Sequence, residues 1–329
     1  MQQMLAVVLN AAVDTTLTIP GPLMVGETHK VRDVLKLPGG KGINVARVLH
    51  SMGVPVHVTG LAGGPAAEFI KTGLGQAGID STFLPIAGAS RTCIAVVECD
   101  SHRVTEVNEP GPTITESEAQ AFLDLYEKLL PGVEAVVLSG SLPPGLPDDY
   151  YALLMQRARK AGVPSILDTS GEALRLGIAA RPLLVKPNAT EAGQFLGREI
   201  HSVEDAVCVG HSMREQGAQL AAITRGSEGA ILVAEMGAWS ARLNVPNPVS
   251  TVGSGDAFVA GFIAGLHRAV KAGESTSITA AAALAGIVVQ AFTLAVACGT
   301  ANTLLLGAGV IKREDVEHFR RMVDVTVLE

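Results

Sequence analysis

The sequence predicts an α/β fold: a mainly parallel sheet covered by helices on both faces, with a small β appendage. Three observations carry that expectation. Short apolar runs alternate with longer segments of helical period along most of the chain. The runs are closed by Gly, Pro or polar turn residues, as buried parallel strands are. Two segments, 14–37 and 91–108, break the alternation and read as extended, partly polar β structure with no helix between. They predict a lid or dimer contact attached to the α/β body.

In chain order, the buried strands are expected at 5–9, 56–61, 135–138, 165–167, 183–185 and 220–224. Helices are expected at 43–52, 66–76, 116–130, 149–161, 191–196 and 203–216. Thr115-Glu116-Ser117-Glu118 has the spacing of a capping box at the head of the third. Asp100-Ser101 followed by His102 reads as a hairpin turn between 92–99 and 103–107. Later, 239–245 reads as extended and 257–268 as helical. From Ser275 to Ile311 there is no charged residue, a length that could span a bilayer. Gln290, Asn302, several Thr and Gly and an Ala-rich composition point instead to two small-residue helices buried in a soluble core. No flexible linker or internal repeat is found, so residues 1–329 read as a single domain.

Composition narrows the function classes. Of 329 residues, 48% are hydrophobic and 17% charged, enough for a large core. Net charge is −7 with no basic run, so no nucleic acid and no membrane is expected as a partner. An anionic ligand would have to be met by cations and glycine turns gathered locally. The opening lacks a basic region followed by a long apolar core, which predicts a cytoplasmic protein. Cys93, Cys99, Cys208 and Cys298 form no CxxC pair and no zinc spacing; all four read as small buried apolar residues in a reducing compartment. Gly73-Leu74-Gly75-Gln76-Ala77-Gly78 matches a dinucleotide fingerprint but ends a helical pattern instead of following a strand, so it is set aside. There is no Walker A, no GxSxG and no HExxH.

Five motifs could carry chemistry. Ser250-Thr251-Val252-Gly253-Ser254-Gly255-Asp256 lies between an extended and a helical stretch. Its glycines can turn successive N–H groups inward, and the helix that follows adds its positive end, which together make a phosphate-sized anion hole. Asp256 there is either a dipole-favoured first-turn residue or a catalytic base. Gly39-Gly40-Lys41-Gly42 opens a second helix and is either an ordinary turn or a second anion cradle. Ser139-Gly140-Ser141-Leu142-Pro143-Pro144-Gly145 follows a buried strand, where α/β proteins place ligand loops. Lys186-Pro187-Asn188 with Glu191 also follows a strand; Asn188 and Glu191, one helical turn apart, suit a shared water or metal shell, or a cap. Asp14, after the first strand, is a turn residue or a grip for sugar hydroxyls.

These motifs, with Ile43-Asn44-Val45-Ala46-Arg47 continuing the second glycine turn, occur in the order of the PfkB carbohydrate kinases. The chain resembles that family from Leu5 to about Val323. More narrowly it resembles the branch of 1-phosphofructokinase, tagatose-6-phosphate kinase and the minor 6-phosphofructokinase. The resemblance implies a three-layer α/β/α ribokinase-like fold with a β-sheet lid, often a homodimer clasp. It implies ATP and Mg²⁺ as cofactors and a small sugar phosphate as substrate. Asp256 would be the base, with Gly253, Ser254 and Gly255 offering N–H groups to the phosphoryl. Lys186, Asn188, Thr224, Gly226, Gly229 and Thr251 fall on the nucleotide side, and Glu191 with Asn188 at Mg²⁺ through water. Asp14, Gly39, Gly40, Lys41, Asn44, Arg91 and Ser139 fall on the sugar-phosphate side. Ala11 replaces a family Pro before Asp14, and Ser254 a family Ala. In the lid, Glu27 stands where the minor 6-phosphofructokinase has Lys, with Lys30 near enough to compensate. Fructose 1-phosphate is therefore slightly preferred, then tagatose 6-phosphate. A kinase of an unphosphorylated sugar or nucleoside, or a non-catalytic sugar-phosphate sensor, are the alternatives.

Overall fold

The computed structural model describes residues 3–243, 245 and 248–329. The chain starts as β1 (Gln3–Val8) and turns directly into β2 (Ala12–Ile19) and β3 (Asp33–Gly39). Then come α1 (Lys41–Ser51), β4 (Val56–Gly63), α2 (Gly64–Gln76), β5 (Asp80–Ile86), β6 (Arg91–Glu98) and β7 (Val104–Asn108). Strict alternation follows: α3 (Glu116–Leu129), β8 (Val133–Ser139), α4 (Tyr150–Lys160), β9 (Ser165–Asp168), α5 (Gly171–Ala179) and β10 (Leu184–Val185). Helices α6 (Ala189–Leu196) and α7 (Val203–Glu215) lead to β11 (Leu220–Thr224), β12 (Ala230–Ala234) and β13 (Gly237–Arg242). The chain closes with α8 (Ser254–Lys271), α9 (Ile278–Ala281), α10 (Ala285–Asn302), α11 (Arg313–Arg320) and β14 (Asp324–Val327).

The main sheet has ten strands in the order β14-β13-β12-β11-β10-β9-β8-β1-β4-β5. The pairs from β11 to β5 are parallel, and β12, β13 and β14 are antiparallel additions. Alternate residues of each strand feed opposite faces. Met4, Ala6 and Val8 pack with α1, α2 and α8–α11, while Leu5 and Val7 pack with α3–α7. The result is three layers, helix–sheet–helix. Strand order reverses at β1, between β8 and β4, and the crevice beyond the carboxyl ends of the strands there is where open α/β sheets bind ligands. The smaller sheet, β3-β2-β6-β7, joins the two extended segments across parallel β2 and β6.

Several elements depart from the sequence reading. Strand β5 was passed over because it holds Asp80 and Pro85; both are compatible with its place at the sheet edge, where a ladder N–H can be spared. The charge-free stretch forms one long helix, α10, and the single turn α9, not two comparable helices. Helix α10 is apolar and long enough to cross a bilayer, yet it is mostly buried against α8. A Cβ on Gly265 would fall 2.5 Å from the Ala291 Cα, so glycine lets the two helices touch backbone to backbone. The cysteines also differ: only Cys298 is buried, Cys93 and Cys99 are half-buried, and Cys208 is exposed. On α7 the inward stripe is Ala206, Val209, Gly210 and Met213, which turns Cys208 to solvent.

Candidate active site

The anion-hole motif folds as its glycines suggest. Gly253 caps α8 with φ +81°, a left-handed value, and a Cβ there would lie 2.7 Å from Ala308. The start of α8 thus lies at the crevice wall, with Ser254 N–H turned back to the Thr251 carbonyl at 3.2 Å and Gly253, Ser254 and Gly255 all in the lining. Asp256 stands in that first turn, 5% exposed. Its Oδ2 accepts a hydrogen bond from Asn44 Nδ2 at 2.8 Å. Burial pushes its carboxyl up to about 7; Asp168 adds to the rise, while Lys41, the Asn44 bond and Lys186 hold it back.

The second glycine turn meets the first across the crevice. Gly40 has φ +98° and precedes α1, which carries both Lys41 and Asn44. Gly39 is required by contact: the position of its missing Cβ is 2.1 Å from the Asp14 carboxyl carbon. Asp14, on β2, is raised by burial and pulled back by Arg47, the Gly40 N–H and Arg91. Arg91, at the start of β6, donates to the carbonyls of Asn10 at 3.3 Å and Glu109 at 3.0 Å.

Beneath both turns lies a group the sequence reading missed. Asp168 ends β9, has no solvent exposure, and receives Lys186 Nζ at 3.2 Å, Lys41 Nζ at 3.4 Å and Ser139 Oγ at 3.3 Å. Burial alone would raise its carboxyl; Lys186 and Lys41 outweigh it and hold the group below the usual carboxylate range. Lys41 is also opposed by burial, but Asp168, Asp256 and Glu191 push its ammonium above the ordinary lysine value. The available signal was a carboxylate directly after an apolar strand, the position already recognised for Ser139 and Lys186.

Asn188 and Glu191 form a reciprocal cap on α6: Glu191 N donates to Asn188 Oδ1 at 2.9 Å, and Asn188 N to Glu191 Oε2 at 2.8 Å. The cap alternative holds for the pair, and both residues also line the crevice. Thr224, at the end of β11, bridges to Asn188, and Gly226 opens and Gly229 caps the one-turn helix that follows. The crevice has a volume of about 790 Å³. It is lined by Asp14, Gly40, Lys41, Asn44 and Arg91 on one side and by Lys186, Asn188, Glu191, Thr224, Gly226, Gly229 and Thr251 on the other, with Gly253–Asp256 between them. Of the residues singled out from the sequence, Gly39 and Ser139 stand outside the lining: Gly39 lies behind Asp14 and Ser139 under Asp168. Among the described residues no three His, Cys, Asp or Glu side chains gather as a metal cage. One partly engaged carboxylate facing a phosphate-sized space suits a cation that keeps most of its waters, as Mg²⁺ does.

Comparison with known proteins gives the family of the chain. Residues 4–297 match the family model described as pfkB family carbohydrate kinase. The 1-phosphofructokinase of Bacillus subtilis (strain 168) is 35% identical over 269 residues, which are 82% of this chain and 87% of that protein. A Thermotoga maritima structure described as a possible 1-phosphofructokinase superposes with a TM-score of 0.84 at 25% identity, covering 100% of both chains. Phosphofructokinase-2 of Escherichia coli, solved with substrates and products, shares the fold with a TM-score of 0.85 at 24% identity, over 98% of this chain and 99% of that one. The chain belongs to the pfkB family of carbohydrate kinases, on the ribokinase-like fold. It is a sugar kinase of phosphofructokinase type, a phosphotransferase with an alcohol group as acceptor and ATP as donor.

Proposed function

We propose that this kinase transfers the γ-phosphoryl of ATP to a hydroxyl of a ketohexose phosphate, fructose 1-phosphate before tagatose 6-phosphate, with fructose 6-phosphate third. The observation that carries the reading is the 2.8 Å bond from Asn44 to Asp256, which joins the carboxylate at the head of α8 to the helix that follows the other glycine turn, in one crevice. Similarity to a 1-phosphofructokinase over most of the chain supports placing fructose 1-phosphate first. Asp14, Gly40, Lys41 and Asn44 would hold the sugar, backed by Gly39 and Ser139, and Arg91 its phosphate. Lys186, Thr224, Gly226, Gly229 and Thr251 would hold the nucleotide. Asn188 and Glu191 would hold Mg²⁺ through water, and the bound ion would neutralise charge on the β- and γ-phosphates.

In this reading Asp256 takes the proton of the attacking hydroxyl. The hydroxyl oxygen bonds to the γ-phosphorus, and the bond to the ADP oxygen breaks. Gly253, Ser254 and Gly255 offer N–H groups where charge accumulates, which is what phosphoryl transfer chiefly needs. The smaller sheet would act as a lid and as the seam of a homodimer in a cytoplasmic enzyme. The test is ADP release with fructose 1-phosphate, fructose 6-phosphate, tagatose 6-phosphate and unphosphorylated fructose side by side. The highest kcat/KM is expected for fructose 1-phosphate; equal or better turnover of an unphosphorylated sugar would reject the class. Arg91→Ala should raise KM for the sugar phosphate about tenfold or more, the scale of a lost charge-assisted bond. An unchanged KM would remove Arg91 from the phosphate site.

A further inference from the structure

Arg47 has no role in the reading above, yet its guanidinium bonds to three separate segments. Nη2 donates to the Pro38 carbonyl at 2.5 Å, before the glycine turn. Nη1 donates to the Ala308 carbonyl, between α10 and α11, and to Asn44 Oδ1 at 3.2 Å. The last contact matters because an Asn side chain has an acceptor end and a donor end of nearly the same shape. With Oδ1 committed to Arg47, Nδ2 is the end that faces Asp256 Oδ2. The opposite orientation would set a carbonyl oxygen against a carboxylate. Gly309 packs close against the backbone of Asn44, where a Cβ in place of its hydrogen would fall 2.6 Å from the Asn44 carbonyl oxygen.

We propose that Arg47 is a positioning residue that fixes the amide orientation of Asn44, so that Asp256 Oδ2 is held as an acceptor and Oδ1 receives the substrate proton. This rests on Asp256 being the base. The charged groups that bear on Asp256 are Lys41 and Arg47 from α1, Asp168 at the end of β9 and Lys186 just beyond β10. A donated bond favours the ionised carboxyl, so losing it makes the base harder to ionise.

The experiment is a double-mutant cycle on kcat as a function of pH, with Arg47→Met, Asn44→Leu, both together, and Asp256→Asn as reference. Each single change is expected to lower kcat about 10–100-fold and to move the acid limb upward by about one pH unit. The double variant should be no worse than Asn44→Leu, because Arg47 acts through Asn44. If the two losses multiply, Arg47 works through its own charge or through packing, and the proposal is overturned; a wild-type kcat and acid limb in Arg47→Met overturn it as well. Should Arg47→Met not fold, Arg47→Lys keeps the cation, and the same additive or non-additive outcome decides. Undiminished turnover in Asp256→Asn would remove the base and this proposal together. An impaired Asp256→Asn with multiplying losses removes only the role of Arg47.

Discussion

Asp256, the base proposed above, is a side chain whose behaviour can be checked by pH alone. A base must be ionised to take a proton, and burial has moved this one to about 7. Activity is therefore expected in full above that value, and kcat/KM of the free enzyme should fall as pH drops through about 7. A limb near 4 would show that the group is not the base. Stability responds with the opposite sign. Between the ordinary carboxyl value of 3.8 and about 7 the native state holds a proton that the unfolded chain releases, so this residue's contribution weakens as pH rises through that window. Asp256→Asn should fold, bind both ligands and lose most of kcat. Asp168 has a different role. It neutralises two ammoniums at once, and Lys186 is only 3% exposed, so Asp168→Ala strands a buried charge. A loss of about 3–5 kcal/mol is expected in urea unfolding; less than 1 kcal/mol would mean that water takes over as the partner of Lys186.

The turns and helix starts do the work of placement. Gly39 and Gly253 are both glycine for reasons of contact, and they fail differently when changed. In Gly39→Ala the new methyl would occupy the place of the Asp14 carboxyl. If Asp14 holds the sugar as proposed, KM for the sugar phosphate should rise well ahead of any change in KM for ATP. Equal changes in both would argue against Asp14 as a sugar ligand. Gly253→Ala would force a left-handed residue against Ala308, at a cost of about 1–3 kcal/mol before any contact is counted. On α6, the Asn188–Glu191 cap shows how one motif can be structural and still line the crevice: capping uses one oxygen of each side chain and leaves the second Glu191 oxygen free of the cap.

At the scale of the molecule, the ten-stranded sheet and its two helical layers form a support, and the smaller sheet stands over the crevice. Register assigns its two faces. Thr16, Ala95 and Glu106 are cross-strand neighbours on the face that lines the crevice. Leu17, Val34 and Val96 form a row on the other face, to which Val107, next after Glu106, also turns. Val34 and Val107 are 56% and 61% exposed, an apolar surface that a second copy of the chain would cover. Val34→Glu together with Val107→Glu should shift sedimentation from dimer to monomer. A wild-type chain that sediments as a monomer at micromolar concentration would dismiss the seam.

The sequence determined the α/β alternation, because buried strands must be apolar and brief and their exits must turn. It also determined the glycine turns, since only glycine tolerates the backbone of Gly40 and Gly253, and the family, whose motifs stand in order along the chain. Strands β5 and β14 escaped it because edge strands carry polar residues and Pro that break the pattern. Tertiary structure alone decided that Asn44 meets Asp256 across 212 positions, that Asp168 joins Lys41 to Lys186, and that Arg47 reaches Ala308. Periodicity reports which side of an element is buried. It carries no information about which distant residues share a pocket, for that depends on how the strand order reverses at β1.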